Sequence, residues 1–142
     1  MFGYGMYSMF GYSTDWNQYT VWSDGSSTYW LQNEVPSRRG GPAVERANGT
    51  KEYWLNGKRH NLNGPAKSTA ERDDYYVDGQ LHREDGPAVE YHSEKLAHYN
   101  EYWLRGTYLT KEQFDLAMAA EYRDGKVIEL DGKKYKLTEV KE

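Results

Sequence analysis

The sequence predicts a mainly-β fold, an antiparallel meander or solenoid of β-hairpin repeats of about 23 residues, closed by a C-terminal α-helix and a β-hairpin. Internal repetition is the first reason. The stretch Glu52-Tyr53-Trp54-Leu55-Asn56-Gly57-Lys58-Arg59-His60-Asn61-Leu62-Asn63-Gly64-Pro65-Ala66 returns as Asp74-Tyr75-Tyr76-Val77-Asp78-Gly79-Gln80-Leu81-His82-Arg83-Glu84-Asp85-Gly86-Pro87-Ala88. It is anticipated by Thr28-Tyr29-Trp30-Leu31 with Ser37-Arg38-Arg39-Gly40-Gly41-Pro42-Ala43, and echoed by Glu101-Tyr102-Trp103-Leu104-Arg105-Gly106. Spacing is the second reason: Pro42, Pro65 and Pro87 stand 23 and 22 residues apart, a period proper to stacked supersecondary units. Turn chemistry is the third. Asp24-Gly25, Asn48-Gly49, Asn56-Gly57, Asn63-Gly64, Asp78-Gly79 and Asp85-Gly86 are Asx-Gly pairs, which accept the positive φ of type I′ hairpin turns.

Composition sets the bounds. The 142 residues carry a net charge of −4 and no cysteine. Disulfides, thiolate chemistry and zinc–thiolate sites are therefore excluded, and a net acidic chain is a poor generic binder of duplex nucleic acid. Mean hydropathy is strongly negative, yet aromatics make up 15% of the chain, with fourteen Tyr and five Trp. Disordered chains are poor in aromatics, so the expected core is one of stacked rings rather than of Leu, Ile and Val. The opening Met1-Phe2-Gly3-Tyr4-Gly5-Met6-Tyr7 lacks the basic start and aliphatic run of a secretory signal. No stretch reaches the length of a membrane span. The expectation is a cytoplasmic protein with no membrane association.

Taken in order, residues 1–20 form an aromatic, Gly-rich segment expected to cap the first repeat or to act as a docking arm. Residues 21–108 are the array. Short runs such as Lys51-Glu52-Tyr53-Trp54-Leu55 and Ala88-Val89-Glu90-Tyr91 have strand length. In each repeat the strand bearing the aromatic pair turns at Asx-Gly, and a second strand begins at Pro-Ala, where proline costs no ladder bond. Stacking then places Trp30, Trp54, Tyr76 and Trp103 in one column and Tyr29, Tyr53, Tyr75 and Tyr102 in its neighbour, on opposite faces of the strands. The Trp column is expected to be core and the Tyr column a partly exposed strip. The spacing lengthens to 27 between Tyr76 and Trp103, marking an insertion around His92, Lys95, His98 and Tyr99. Insertions in such arrays go into loops, often on the binding face. Residues 109–142 change period. Thr110-Lys111-Glu112-Gln113 reads as a capping box. Phe114, Met118 and Tyr122 share one helical face, and Asp124-Gly125 ends the helix. Val127-Ile128-Glu129-Leu130 and Lys133-Lys134-Tyr135-Lys136-Leu137 flank Asp131-Gly132 as a hairpin that pairs Glu129 with Lys134 and Ile128 with Tyr135.

The repeats resemble the MORN family, whose aromatic-x-x-Gly-x-x-His pattern is met by Trp54-Leu55-Asn56-Gly57-Lys58-Arg59-His60 and by Tyr76-Val77-Asp78-Gly79-Gln80-Leu81-His82. The departure is Gly-Pro-Ala, where MORN repeats continue with glycine-rich strands. Residues Leu81-His82-Arg83-Glu84-Asp85-Gly86-Pro87-Ala88 are similar to a repeat type of tailed phages and large viruses. That likeness covers about residues 20–115. It implies a β-hairpin array of viral origin and no activity; the MORN likeness implies a scaffold or binding platform.

Among side chains that carry chemistry, Arg38, Arg39, Lys58, Arg59, His60, His82 and Arg83 all fall between the turn and Gly-Pro-Ala, and stacking would line them into a basic ridge. The ridge is either a set of corner-fixing ion pairs or a surface for phosphates or an acidic partner. His60 and His82 lie one repeat apart, too far for one metal, so neither a metal nor another cofactor is expected. No nucleophile elbow, phosphate-cradling loop or carboxylate in an apolar setting occurs, so no enzymatic activity is expected. Aromatics beside arginines suit protein interfaces. The expected function is a non-enzymatic protein-binding module, phage-encoded as the resemblance implies, that docks on and inhibits or adapts a host complex such as a defence system. The aromatic strip Tyr29, Tyr53, Tyr75 and Tyr102 and the insertion would make the contacts. A nucleotide or nucleic-acid sponge using the ridge, and a self-associating virion component, are the alternatives.

Overall fold

The computed structural model describes residues 19–122, 127–130 and 132–136. Most of the N-terminal segment expected over residues 1–20 lies outside the described residues. The fold is mainly β, an antiparallel meander with a short helix near its C-terminal end.

The main sheet runs through β1 (Thr20–Ser23), β2 (Ser27–Gln32), β4 (Val44–Arg46), β5 (Lys51–Glu52), β8 (Lys67–Ser68), β9 (Arg72–Asp74) and β12 (Val89–Tyr91), each antiparallel to the next. Four two-residue turns carry a second set of short pairings beside it. There β3 (Val35–Pro36) pairs with the end of β2, β6 (Trp54–Leu55) with β7 (Lys58–Arg59), β10 (Tyr76–Val77) with β11 (Gln80–Leu81), and β13 (Tyr102–Leu104) with β14 (Thr107–Leu109). In the first three hairpins the return strand therefore precedes Gly-Pro-Ala. The strand after Pro-Ala instead joins the main sheet, as in Glu52↔Lys67. One aromatic residue per copy marks the crossing between the two sets. The N–H of Trp30, Tyr53 and Tyr75 donates to the carbonyl of Ala43, Ala66 and Ala88 (2.8, 2.6 and 2.7 Å), while their own carbonyls accept from the N–H of Ser37, His60 and His82, each at 3.0 Å.

These bonds correct the expected columns. The residue matching Tyr53 and Tyr75 in the first copy is Trp30, not Tyr29, because its turn falls at Asn33-Glu34, three residues after Trp30, whereas Asn56 follows Trp54 by two. Tyr29 occupies the place of Glu52 and Asp74, and its ring rests 5.0 Å from that of Trp22. The expected ring-built core is also corrected. The most enclosed apolar residues are the alanines of Gly-Pro-Ala, Ala43, Ala66 and Ala88, each at 0% exposure, together with Val44 and Val89. Trp30, Trp54, Tyr76 and Trp103 are half-buried, as are Tyr53, Tyr75 and Tyr102. A methyl side chain is what fits where the corner returns under the crossing strand; the larger rings lie over it and keep one edge in solvent.

The C-terminal elements follow the expected chemistry. Helix α1 (Lys111–Tyr122) begins at a capping box: Gln113 N–H donates to Thr110 Oγ1 at 3.1 Å, and Thr110 N–H to Gln113 Oε1 at 2.9 Å. Phe114 is buried against Tyr102, with ring centroids 4.9 Å apart, which docks the helix on the last copy. Strands β15 (Val127–Leu130) and β16 (Lys133–Lys136) pair in the expected register, Glu129 with Lys134 and Ile128 with Tyr135. No helix among the described residues is long and apolar enough to cross a membrane.

Candidate functional site: two clefts between corner loops

Each copy turns a corner just before Pro-Ala, and the corner is held by one side chain in an equivalent place. Arg38 donates from Nη1 to the Pro42 carbonyl at 3.1 Å, Asn61 from Nδ2 to the Pro65 carbonyl at 2.9 Å, and Arg83 from Nη1 to the Pro87 carbonyl at 3.1 Å. The arginines also lie over the crossing aromatics, Arg38 Cζ 4.1 Å from the Trp30 ring centroid and Arg83 Cζ 4.0 Å from that of Tyr75. Burial opposes the charge on Arg83, but its bonds to Glu90 (2.6 Å) and Asp85 (2.7 Å) outweigh that and raise its pKa above the ordinary value. The Tyr75 hydroxyl is raised by burial, with Arg83 working against the shift.

The histidines have a different task. His60 Nδ1 accepts from Asp78 N–H at 3.0 Å, and His82 Nδ1 accepts from Arg105 N–H at 3.0 Å; Ser37 Oγ does the same for Asn56 N–H at 3.1 Å. Each donor belongs to a turn residue of the next copy held at positive φ (48–52°). The aromatic-x-x-Gly-x-x-His pattern is thus a link between copies: the histidine of one satisfies the strained turn of the next. Arg59, half-buried, is engaged within the chain as well. Its guanidinium is 4.9 Å from the Trp54 ring centroid, 5.5 Å from that of Tyr76 and 3.7 Å from the Glu52 carboxylate.

The basic ridge therefore does not present one continuous charged surface. Arg38, Arg59, His60, His82 and Arg83 are engaged within the chain, leaving Arg39 and Lys58 as the ridge cations with no hydrogen-bond or ion-pair partner among the described residues. Lys58 lies along the next turn, its Cβ 3.6 Å from the point where a side chain on Gly79 would begin. Sequence reasoning missed two buried carboxylates, Glu52 (4% exposed) and Asp74 (3%). Glu52 accepts from Trp54 Nε1 at 2.9 Å, and Asp74 pairs with Arg72 at 3.0 Å. An available signal was the acid two residues before a Trp, on the same strand face. It recurs as Glu101 accepting from Trp103 Nε1 at 2.7 Å.

Between consecutive corners lie two clefts. The first, about 530 Å³, has Arg38 and Arg39 on one wall, His60 and Leu62 on the other, and Tyr53 and Leu55 at its base. The second, about 710 Å³, lies between Leu62 on one side and His82, Arg83 and Glu84 on the other, over Tyr75 and Val77. Leu62 belongs to both and is 72% exposed, the most exposed large aliphatic among the described residues. Of the expected aromatic strip, Tyr53 and Tyr75 thus line the clefts. Tyr29 lies outside them, and Tyr102 lies under Phe114 with Lys111 Nζ 6.0 Å from its ring.

The insertion is a 3₁₀ helix, Glu94–Tyr99, exposed throughout. The His98 and Tyr99 rings lie 4.0 Å apart, tilted by 42°, and Lys95 has no partner among the described residues. His92 bonds Asp73 at 3.1 Å and the Ala70 carbonyl at 3.2 Å, so both ring nitrogens face acceptors and its pKa is raised. Among the described residues no group of three or more His, Asp or Glu side chains converges as a metal site would require. Comparison with protein-family models, with curated proteins and with solved structures finds no match to this chain.

Proposed function

We propose that the chain is a non-enzymatic protein-binding module, a solenoid-like hairpin array whose groove of successive clefts receives an extended segment of a partner protein. The observation that carries this reading is Leu62. An exposed leucine alone means little, but this one forms the shared wall of two clefts whose bases are Tyr53–Leu55 and Tyr75–Val77. Aromatic and aliphatic floors edged by arginine are the composition that protein interfaces favour. The clefts follow one another along the array, as successive side chains of an extended ligand require. The resemblance of the repeats to those of tailed phages makes a host complex, such as a defence system, the partner class in which to look.

The test is capture of partners from bacterial lysate by the tagged chain with and without nuclease, repeated with Leu62→Asp. Leu62 is exposed, so this variant keeps the fold, checked by circular dichroism. The reading expects a stoichiometric protein that survives nuclease and is lost with Leu62→Asp. Capture of nucleic acid alone, or of the same protein by both forms, overturns it.

A further inference from the structure

The first and third corners are near-copies that differ in the acidic groups around their arginine. Arg38 and Arg83 make the same bond to a proline carbonyl and lie at the same height over an aromatic ring. Arg83 then has two carboxylates, Asp85 on Nε and Glu90 on Nη1. In the first copy the place of Asp85 is taken by Gly40, which has no side chain, and Glu45, at the place of Glu90, makes no ion pair among the described residues. Arg38 thus keeps its Nε and Nη2 donors without an acceptor among the described residues, at the mouth of the first cleft. Arg39, exposed and unpaired among the described residues, stands beside it, and no carboxylate lines this cleft.

We propose that the first cleft binds a side-chain carboxylate of a partner polypeptide, held by Arg38 and Arg39 where Asp85 and Glu90 sit beside Arg83. This rests on the reading of the groove as a peptide-binding surface and names the chemistry it selects: an Asp or Glu flanked by an apolar residue that packs on Leu55 and Leu62. The chain's own third corner shows that an arginine over an aromatic ring in this setting donates short, charge-assisted bonds to carboxylates. A polypeptide fits better than nucleic acid. Only two cations face the first cleft with donors to spare, and a ligand continuing along the groove next meets Glu84 and Asp85, which repel phosphates.

The experiment selects a phage-displayed random dodecapeptide library on the full chain and measures the enriched peptides by fluorescence anisotropy. Enriched peptides are expected to carry an Asp or Glu next to Leu, Ile or Phe. Replacing that acid by its amide is expected to weaken binding about ten-fold, and Arg39→Ala to do the same, as loss of one charge-assisted bond implies. Arg38→Gln weakens it further. Lys58→Ala, a free cation outside the clefts, leaves affinity unchanged. Enrichment without acidic residues, equal binding by the amide peptide, or an equal loss with Lys58→Ala overturns the proposal. So does preferential binding of an oligothymidine twenty-mer, or no enrichment at all. If Leu62→Asp abolishes peptide binding while Arg39→Ala does not, the groove stands and the carboxylate site falls.

Discussion

At the scale of single residues, side chains that suggested ligand chemistry mostly hold one copy to the next. His60 and His82 each satisfy a backbone N–H in the following turn, at 3.0 Å. Replacing either by alanine removes one hydrogen bond and should cost about 1 kcal/mol, read as a fall in Tm of about 2–4 °C; Asn, which keeps an acceptor, should recover part of it. Glu52 tests burial rather than linkage. It is 4% exposed and serves Trp54, Arg46 and Arg59, so Glu52→Ala should cost about 3 kcal/mol and Glu52→Gln markedly less, in urea denaturation followed by Trp fluorescence. Much of this was legible. The aromatic-x-x-Gly-x-x-His spacing identified the residues, but a pattern names positions and not directions, so it could not tell a histidine facing solvent from one facing the next turn. The alignment of the first copy was recoverable. Its prolines step by 23 residues, while Trp30 to Trp54 steps by 24, and that one-residue excess placed Tyr29 in a column where Trp30 belongs. The buried acids were hidden because Glu before an aromatic reads as an ordinary half-exposed strand residue.

At the scale of elements, turns and caps were the most readable because their chemistry is local. Asn56-Gly57 and Asp78-Gly79 turn their hairpins at positive φ as their chemistry predicts, whereas Asn63-Gly64 and Asp85-Gly86 fall in the corners with neither residue at positive φ; Thr110 with Gln113 fixed the start of the helix. The strand after Pro-Ala was assigned correctly as a strand; its partner could not be read, since pairing across sheets depends on contacts distant in sequence. The insertion supplies a prediction with a sign. His92 bonds Asp73, the larger cause of its raised pKa, and then the Ala70 carbonyl. Its ordinary pKa is about 6.5, so the stabilisation from this contact is complete below that value and vanishes as pH rises through the higher folded one. The difference in Tm between wild type and His92→Ala should therefore be larger at about pH 5 than at about pH 9. A difference that grows toward alkaline pH would contradict the assignment.

At the scale of the whole molecule, stability comes from contacts between neighbouring copies more than from one deep core, because the enclosed apolar residues are one alanine at each corner, Val44 and Val89 after the first and third, and Phe114 and Ala119 on the helix. Arg59 spans one such junction, lying between Trp54 and Tyr76 and near Glu52. Arg59→Ala combined with His60→Ala should weaken that junction enough for the two halves to unfold separately, seen as a broadened urea transition with a lower m-value than wild type. The turn glycines carry a further consequence. Gly57, Gly79 and Gly106 sit at φ of 76–80°, and a Cβ placed on each would lie 3.4–3.6 Å from a side chain of the preceding copy: Val35, Lys58 or Gln80. The first turn has no copy before it, and there Glu34 stands in the same conformation at φ 66°. The chain therefore has a grammatical order, with a glutamate in its opening turn and a glycine in the three that follow. A duplicated second or third copy would again set a glycine against the side chain before it, whereas the first, moved inward, would set the larger glutamate there.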